Sequence, residues 1–139
     1  MKISIIGTGL IGGSIALKLK NTKFTNFVYG IDQNESHLSK ALELKIIDEK
    51  ADLESGMKNS DLIIIAIPVD AARKILPKVL DLINENQTVM DVGSTKSGIV
   101  DSIKKSPIFT NNQVLKCFDL IVQGIFKQNK HKTEIISHL

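Results

Sequence analysis

The sequence has few of the residues that build disulfides, cysteine metal clusters and nucleic-acid surfaces. Its one cysteine, Cys117, excludes an intrachain disulfide and a cysteine-based metal site. Tryptophan is absent, aromatic residues make up 4% of the chain and the one arginine is Arg73. Nucleic-acid binders usually gather basic and aromatic side chains into a patch, so we expect no nucleic-acid partner.

Long apolar runs are also missing. No run approaches the roughly 20 residues that cross a bilayer, so we expect no membrane partner. The N-terminal segment MKISIIGTGL lacks the apolar stretch and cleavage site of a secretory signal, and a cytoplasmic location is expected. A length of 139 residues with 42% hydrophobic residues and a net charge of +3 is typical of one globular domain.

Short β-branched runs alternate with amphipathic segments, which is typical of parallel strands covered by helices. The predicted strands cover residues 2–6, 27–31, 46–51, 61–67 and 88–92. The predicted helices cover residues 10–20, 34–44, 53–58, 69–83 and 96–104, with Pro77 requiring a local bend or a break in the fourth. This order predicts an α/β fold with a Rossmann-type, doubly wound parallel sheet.

The last part of the chain has a different pattern. Seven apolar residues between Val114 and Phe126 lie on one face of a helix, and a polar tail follows. We therefore predict a dinucleotide-binding domain over residues 1–112 and a helical extension over residues 113–139. The helix would either cover the sheet or form the contact of a homodimer.

Three glycines directly follow the first predicted strand, in the segment GTGLIG. Gly7, Gly9 and Gly12 form the pattern G-x-G-x-x-G, which allows a tight turn, close approach of a pyrophosphate, and close contact of helix with strand. The helix that begins here, with Leu10 and Ile11 in its first turn, offers free N–H groups to a diphosphate. The alternative is a glycine-rich turn that binds nothing.

Asp32 ends the second predicted strand, 20 residues after Gly12. That spacing is typical of the carboxylate that binds the adenosine ribose, although an aspartate here can also cap the next helix. A carboxylate would repel a 2′-phosphate, and neither Gln33 nor Asn34 supplies a compensating positive charge. The pattern therefore predicts NAD as the cofactor in preference to NADP.

Two further segments fall at carboxyl ends of predicted strands, where open α/β sheets bind ligands. Ile67 and Pro68 end the DLIIIAIP strand and would bring backbone near the cofactor, or Pro68 merely terminates the strand. Ser94 and Lys96, in DVGSTK, lie where reacting groups would be presented. Ser94 could instead serve only as a helix cap.

The remaining candidates have simpler explanations. His37 is expected on a solvated helix surface, while His131 and His138 lie in the polar tail without carboxylate or cysteine partners at metal spacing. We assign none of the three a role and predict no metal site. Cys117 is interpreted as a small buried apolar residue.

Over residues 1 to about 106 the segments ISIIGTGLIGGSIALKLK, VYGID, DLIIIAIPV and VMDVGSTKSGIV resemble the cofactor domain of prephenate dehydrogenases. The resemblance implies oxidative decarboxylation of prephenate to 4-hydroxyphenylpyruvate with NAD, a step of tyrosine biosynthesis. It also implies that Gly7, Gly9, Gly12 and Asp32 hold NAD and that Ser94 positions the substrate and a catalytic histidine.

The resemblance stops before the His-Pro motif and the helical substrate domain that this family has, so the chain resembles a truncated member or a short paralogue. We expect it to bind NAD but to show little activity alone. A non-catalytic NAD-binding or regulatory module is the alternative function. Related arogenate, pyrroline-carboxylate or β-hydroxyacid dehydrogenases are alternative families.

Overall fold

The computed structural model describes residues 1–84 and 86–93. Its strands are β1 (Lys2–Ile6), β2 (Phe27–Ile31), β3 (Glu49–Lys50), β4 (Leu62–Ile65) and β5 (Thr88–Asp91). Its helices are α1 (Leu10–Asn21), α2 (Glu35–Glu43), α3 (Leu53–Asn59) and α4 (Val69–Leu82). The helices predicted over residues 96–104 and 114–126, and the domain boundary at residue 112, lie outside the described residues.

The five strands form one parallel sheet in the order β3-β2-β1-β4-β5. The chain starts at the central strand, moves to one edge through β2 and β3, and then returns to the other side of β1 through β4 and β5. The strand order therefore reverses between β1 and β4, which is where such sheets bind ligands. The predicted Rossmann-type, doubly wound sheet is confirmed.

Both faces of the sheet are buried. On one face α3 and α4 pack on a cluster of strand residues that includes Ile6, Ile63 and Ile65. On the other face α1 and α2 pack on a cluster that includes Ile3, Ile5 and Ile64. Successive strand residues point to opposite faces, so the continuous apolar run of β4 supplies both clusters. Burial of each large side chain contributes about 1.5–3 kcal/mol relative to exposure.

The contact surface of α1 consists mainly of small residues. Gly12, Gly13 and Ala16 are buried together with Leu19, which lets the helix axis come close to the sheet. Leu10 and Ile11 in the first turn are exposed instead. The apolar side chains nearest the glycine loop are therefore available for contact with another molecule.

Several element boundaries differ from the predicted ones. The strand predicted over residues 61–67 ends at Ile65, because the backbone beyond Ala66 leaves the ladder to reach Pro68. The strand predicted over residues 46–51 is reduced to two residues, Glu49–Lys50. Pro77 lies inside α4, which continues without a break from Val69 to Leu82.

No helix in the described part of the chain is both long and apolar enough to cross a membrane. Across residues 1–84 and 86–93, histidine, cysteine, aspartate and glutamate side chains form no group of three or more that could hold a metal ion.

Candidate cofactor-binding site

The loop between β1 and α1 makes a turn that requires glycine at two positions. Gly7 has a φ of +96°, and a Cβ there would lie 2.5 Å from both the Ala66 carbonyl oxygen and the Ile67 Cγ2. A Cβ on Gly12 would overlap the Gly7 carbonyl oxygen. Side chains at these positions would force the helix and the β4 loop away from β1. Gly7 and Gly12 therefore fix the turn itself.

Gly9 differs from the other two glycines because a Cβ there would meet no protein atom within 4 Å. Gly9 is the N-cap of α1, and no side chain caps the helix there. The first backbone bond of α1 runs from Gly13 N–H to the Gly9 carbonyl at 2.8 Å. The N–H groups of residues 10–12 precede that bond and, as in any α-helix, have no intrahelical acceptor. Open space thus adjoins a helix end that favours anions.

Leu10 and Ile11 flank this helix end as exposed apolar side chains. Leu10 is 89% exposed and Ile11 is 63% exposed, although both are large aliphatic residues. Their side chains add an apolar border to the donor-rich helix end. A ligand with both charged and apolar parts could use both features.

Asp32 directly follows β2, and the glycine loop holds its side chain. The Asp32 Oδ2 accepts hydrogen bonds from the Thr8 N–H at 2.8 Å and from the Thr8 hydroxyl at 3.1 Å. Its Oδ1 accepts from the Asn34 N–H at 2.9 Å. The N-cap of α2 is Asn34, whose Oδ1 accepts from the Ser36 N–H at 3.0 Å. Asp32 is therefore not the helix cap, which was the alternative to ligand binding.

The same contacts control the charge of Asp32. Partial burial raises its pKa, but the N–H groups of Asn34 and Thr8, the Thr8 hydroxyl and the nearby His37 together outweigh that effect. The pKa consequently lies below its ordinary value, and Asp32 is ionised at neutral pH. An ionised carboxylate is a hydrogen-bond acceptor only, as a ligand hydroxyl requires.

The sequence did not predict that Thr8 and His37 would contact Asp32. Thr8 occupies an unrestricted position of the glycine pattern, and its buried side chain bonds Asp32. His37 was expected on a solvated surface, yet its Nδ1 lies 3.5 Å from the Asp32 Oδ2 while half of its side chain is exposed. We call Thr8, Asp32, Asn34 and His37 the Asp32 cluster. The signal that could have identified His37 is its place in the first turn of the helix that follows Asp32.

On the other side of β1, the backbone after β4 lies against the glycine loop. The Ala66 N–H donates to the Ile6 carbonyl at 2.8 Å, and the half-buried Ile67 side chain packs beside Gly7. Pro68 is exposed and is the N-cap of α4, where its carbonyl accepts from the N–H groups of Ala71 and Ala72. Ile67 thus lies next to the first glycine of the loop, Pro68 follows it at the start of α4, and a contact of either residue with a cofactor stays a prediction.

The end of β5 lies next to the end of β4, with Asp91 paired with Ile65 in the register. Asp91 is buried, and its Oδ1 accepts from the Gly93 N–H at 3.2 Å. Ser94, the predicted catalytic residue, and Lys96 follow in the chain but lie outside the described residues. Neighbouring strands are about 4.8 Å apart, so the ends of β2 and β4 are separated by about 10 Å across β1.

Comparison with known proteins identifies the family of this chain. Residues 15–115 match the family model described as the nucleotide-binding domain of prephenate dehydrogenase. The chain is 40% identical over 101 residues to a prephenate dehydrogenase of Bacillus subtilis, which is 71% of this chain and 27% of that protein. The chain therefore spans about a quarter of the length of this relative.

Solved structures agree with the match. A prephenate dehydrogenase of A. aeolicus, in complex with hydroxyphenyl propionate and NAD+, has a TM-score of 0.66 and 34% identity. The alignment covers 73% of this chain and 36% of that one. An arogenate dehydrogenase of Synechocystis has a TM-score of 0.65 and 29% identity, over 73% of this chain and 36% of that one. The chain therefore belongs to the family of prephenate dehydrogenase nucleotide-binding domains.

Proposed function

We propose that this chain binds NAD at the carboxyl end of β1 and forms the cofactor-binding part of a dehydrogenase acting on prephenate. The observation that supports this most directly is the hydrogen bond from the Thr8 N–H to Asp32. Thr8 lies between the first two glycines of the loop, so the bond ties the acidic side chain to the helix end. A ribose acceptor and an anion-binding helix end are thereby held in one fixed arrangement.

The residues present fit the parts of NAD. The N–H groups of residues 10–12 would bind the diphosphate, and the open space at Gly9 would allow its close approach. Asp32 accepts three hydrogen bonds from Thr8 and Asn34, whereas a carboxylate has about four acceptor sites. Acceptor capacity therefore remains at Oδ1 for a ribose hydroxyl.

The nicotinamide half would extend to the other side of β1. Ile67 and Pro68 would provide an apolar surface there, and Ser94 would position the substrate. Bound NAD supplies a hydride acceptor for oxidation of the substrate. The chain's contribution at the described residues is to bind and orient the cofactor.

The substrate is proposed from the family. Prephenate would undergo oxidative decarboxylation to 4-hydroxyphenylpyruvate, and this activity is proposed for the whole protein to which such a domain belongs. The cytoplasmic location and the homodimer expected from the sequence also stay predictions, as does the low activity expected of this chain alone.

Calorimetric titration with NAD tests the cofactor site. Asp32→Asn keeps the side-chain shape but removes the charge, and we expect NAD affinity to fall about tenfold or more, since hydrogen bonds to charged groups contribute about 1.5–3 kcal/mol. Asp61→Asn is the matched control. Asp61 also accepts a backbone N–H, from Lys2 at 2.8 Å, but at the opposite end of the sheet.

Asp61→Asn should bind NAD as the wild-type chain does. Equal NAD affinity in Asp32→Asn and the wild-type chain would contradict the assignment of Asp32. Absence of NAD binding by the wild-type chain would contradict the proposed function.

A further inference from the structure

His37 lies beside the carboxylate that is proposed to bind the ribose. Its Nδ1 is 3.5 Å from the Asp32 Oδ2, and its Nε2 is 3.4 Å from the Asn34 Nδ2. Because its side chain is half exposed, the imidazole can also contact a ligand that approaches Asp32 from solvent. The sequence places no lysine or arginine at residues 33 or 34, so His37 is the first side chain after Asp32 that can become a cation.

The charged groups around His37 come from three places in the described structure. Asp32 at the end of β2 is its ion-pair partner. On α2 itself, Glu35 precedes it by two residues and Lys40 follows by three. Lys50 of β3 pairs with Glu35 and also donates to Ser39 at 3.0 Å, so the Lys50 charge is directed to Glu35.

We propose that His37 modulates the discrimination between NAD and NADP that Asp32 creates, and that protonation of its imidazole weakens that discrimination by placing a cation beside Asp32, where the 2′-phosphate of NADP approaches. This inference rests on the proposed NAD site and adds to it a specificity residue. With a neutral imidazole, the 2′-phosphate faces the Asp32 carboxylate and is repelled. With an imidazolium, the carboxylate is balanced and the phosphate gains a hydrogen-bond donor.

Histidine is the residue type whose ordinary charge change falls between pH 5 and 8. Asp32 does not titrate in that interval, because its hydrogen bonds with Asn34 and Thr8 hold its pKa below the ordinary value of 3.8. The 2′-phosphate itself gains a proton near pH 6, which also reduces repulsion. A test must therefore separate the contribution of His37 from that of the phosphate.

The experiment measures the dissociation constants of NAD and NADP for the full chain at pH 8.0 and pH 5.5, by calorimetry. His37→Gln keeps a hydrogen-bonding side chain without a titrating charge, and its residual pH dependence reports the phosphate. We expect the wild-type preference for NAD to fall about threefold to tenfold more than that of His37→Gln over this interval.

His37→Lys provides a second, independent variant with a permanent charge. It should show a weakened preference for NAD already at pH 8.0, and a pH dependence shallower than that of the wild-type chain. Because the comparison is with the wild-type chain, this variant decides the question even if His37→Gln fails to fold. Equal pH dependence in the wild-type chain and His37→Gln, or an unchanged preference in His37→Lys at pH 8.0, would overturn the inference.

Failure of this inference is distinguishable from failure of the proposed function. If NAD binds and its binding depends on Asp32, but the His37 variants behave as the wild-type chain does, only the role of His37 is wrong. If the wild-type chain binds neither dinucleotide, the NAD site itself is wrong and the role of His37 is overturned with it.

Discussion

The two sides of β1 present different chemistry to a ligand above the sheet. On the β2 side, directed hydrogen bonds between Thr8, Asp32 and Asn34 hold a charged acceptor in one position. On the β4 side, the apolar Ile67 side chain packs beside Gly7 in the glycine loop, and the exposed Pro68 follows it in the chain. The difference teaches that a few polar atoms from two separate segments of the chain hold the Asp32 carboxylate in place, whereas Ile67 on the β4 side offers an apolar packing surface.

The largest expected effect is a loss of stability on substitution of Gly12, whose helix α1 packs against the glycine loop between the two sides. Gly12→Ala places a methyl group against the Gly7 carbonyl oxygen, so α1 must move away from β1. We expect the free energy of unfolding to fall by about 3 kcal/mol or more, because backbone cannot yield as a side chain does. Chemical denaturation monitored by circular dichroism measures this change.

Gly13→Ala is the control for Gly12, since a Cβ at Gly13 makes only ordinary contacts, the nearest at 3.7 Å to the Thr8 carbonyl oxygen. Because alanine favours a helix interior, this variant should be as stable as the wild-type chain or about 0.5–1 kcal/mol more stable. Similar losses in both variants would show that the loss is not specific to the turn at Gly12.

The sequence predicted the features of the fold that depend on the pattern of neighbouring residues along the chain. The continuous apolar run of β4 and the spacing of Gly7, Gly9 and Gly12 determine a buried parallel strand and a turn, and both can be identified without tertiary contacts. The position of Asp32 follows from the length of a βαβ unit. These features therefore agree between sequence and structure.

The contacts of Thr8 and His37 could not be predicted in the same way. Each depends on the direction in which a chain segment leaves a strand, and hydrophobic periodicity does not encode that direction. The exposure of Leu10 and Ile11 was likewise hidden, because the small residues on the opposite side of α1 form its contact with the sheet. Polar and exposed positions around a site depend on tertiary geometry more than core positions do.

A smaller loss of stability and of NAD affinity is expected from substitution of Thr8. The substitution tests whether the β2 side depends on the shape of this side chain or on its hydrogen bond. Thr8→Val is nearly isosteric but removes the hydroxyl that bonds Asp32 at 3.1 Å. We expect the free energy of unfolding to fall by about 1–2 kcal/mol and NAD to bind more weakly, because the carboxylate is less firmly held.

Thr8→Ser retains the hydroxyl and serves as the control for the hydrogen bond. It should keep NAD affinity close to that of the wild-type chain in calorimetric titration. If Thr8→Val also binds NAD as the wild-type chain does, the backbone N–H of Thr8 alone is sufficient to orient Asp32.

The smallest expected effect is the pH dependence of the contribution that Asp32, on the β2 side, makes to the stability of the chain. The folded-state pKa of Asp32 is depressed, so its contribution to stability is present above its ordinary value of 3.8 and is lost as the pH falls through the folded pKa. The stability difference between the wild-type chain and Asp32→Asn should therefore narrow as the pH falls from 5 to 2. Urea denaturation across this range measures it, and a constant difference would contradict the assigned charge state.

Gly9→Ala offers the most direct test that the glycine loop is a cofactor site, because the fold leaves the space at Gly9 open. A methyl group there meets no protein atom within 4 Å, so the variant should lose only about 1 kcal/mol of stability from the weaker N-cap. A bound diphosphate would contact that methyl group. Calorimetric titration with NAD should show an affinity at least about tenfold lower than that of the wild-type chain, as expected for a group misplaced by about 1 Å. A folded Gly9→Ala variant that binds NAD as tightly as the wild-type chain would contradict the proposed site.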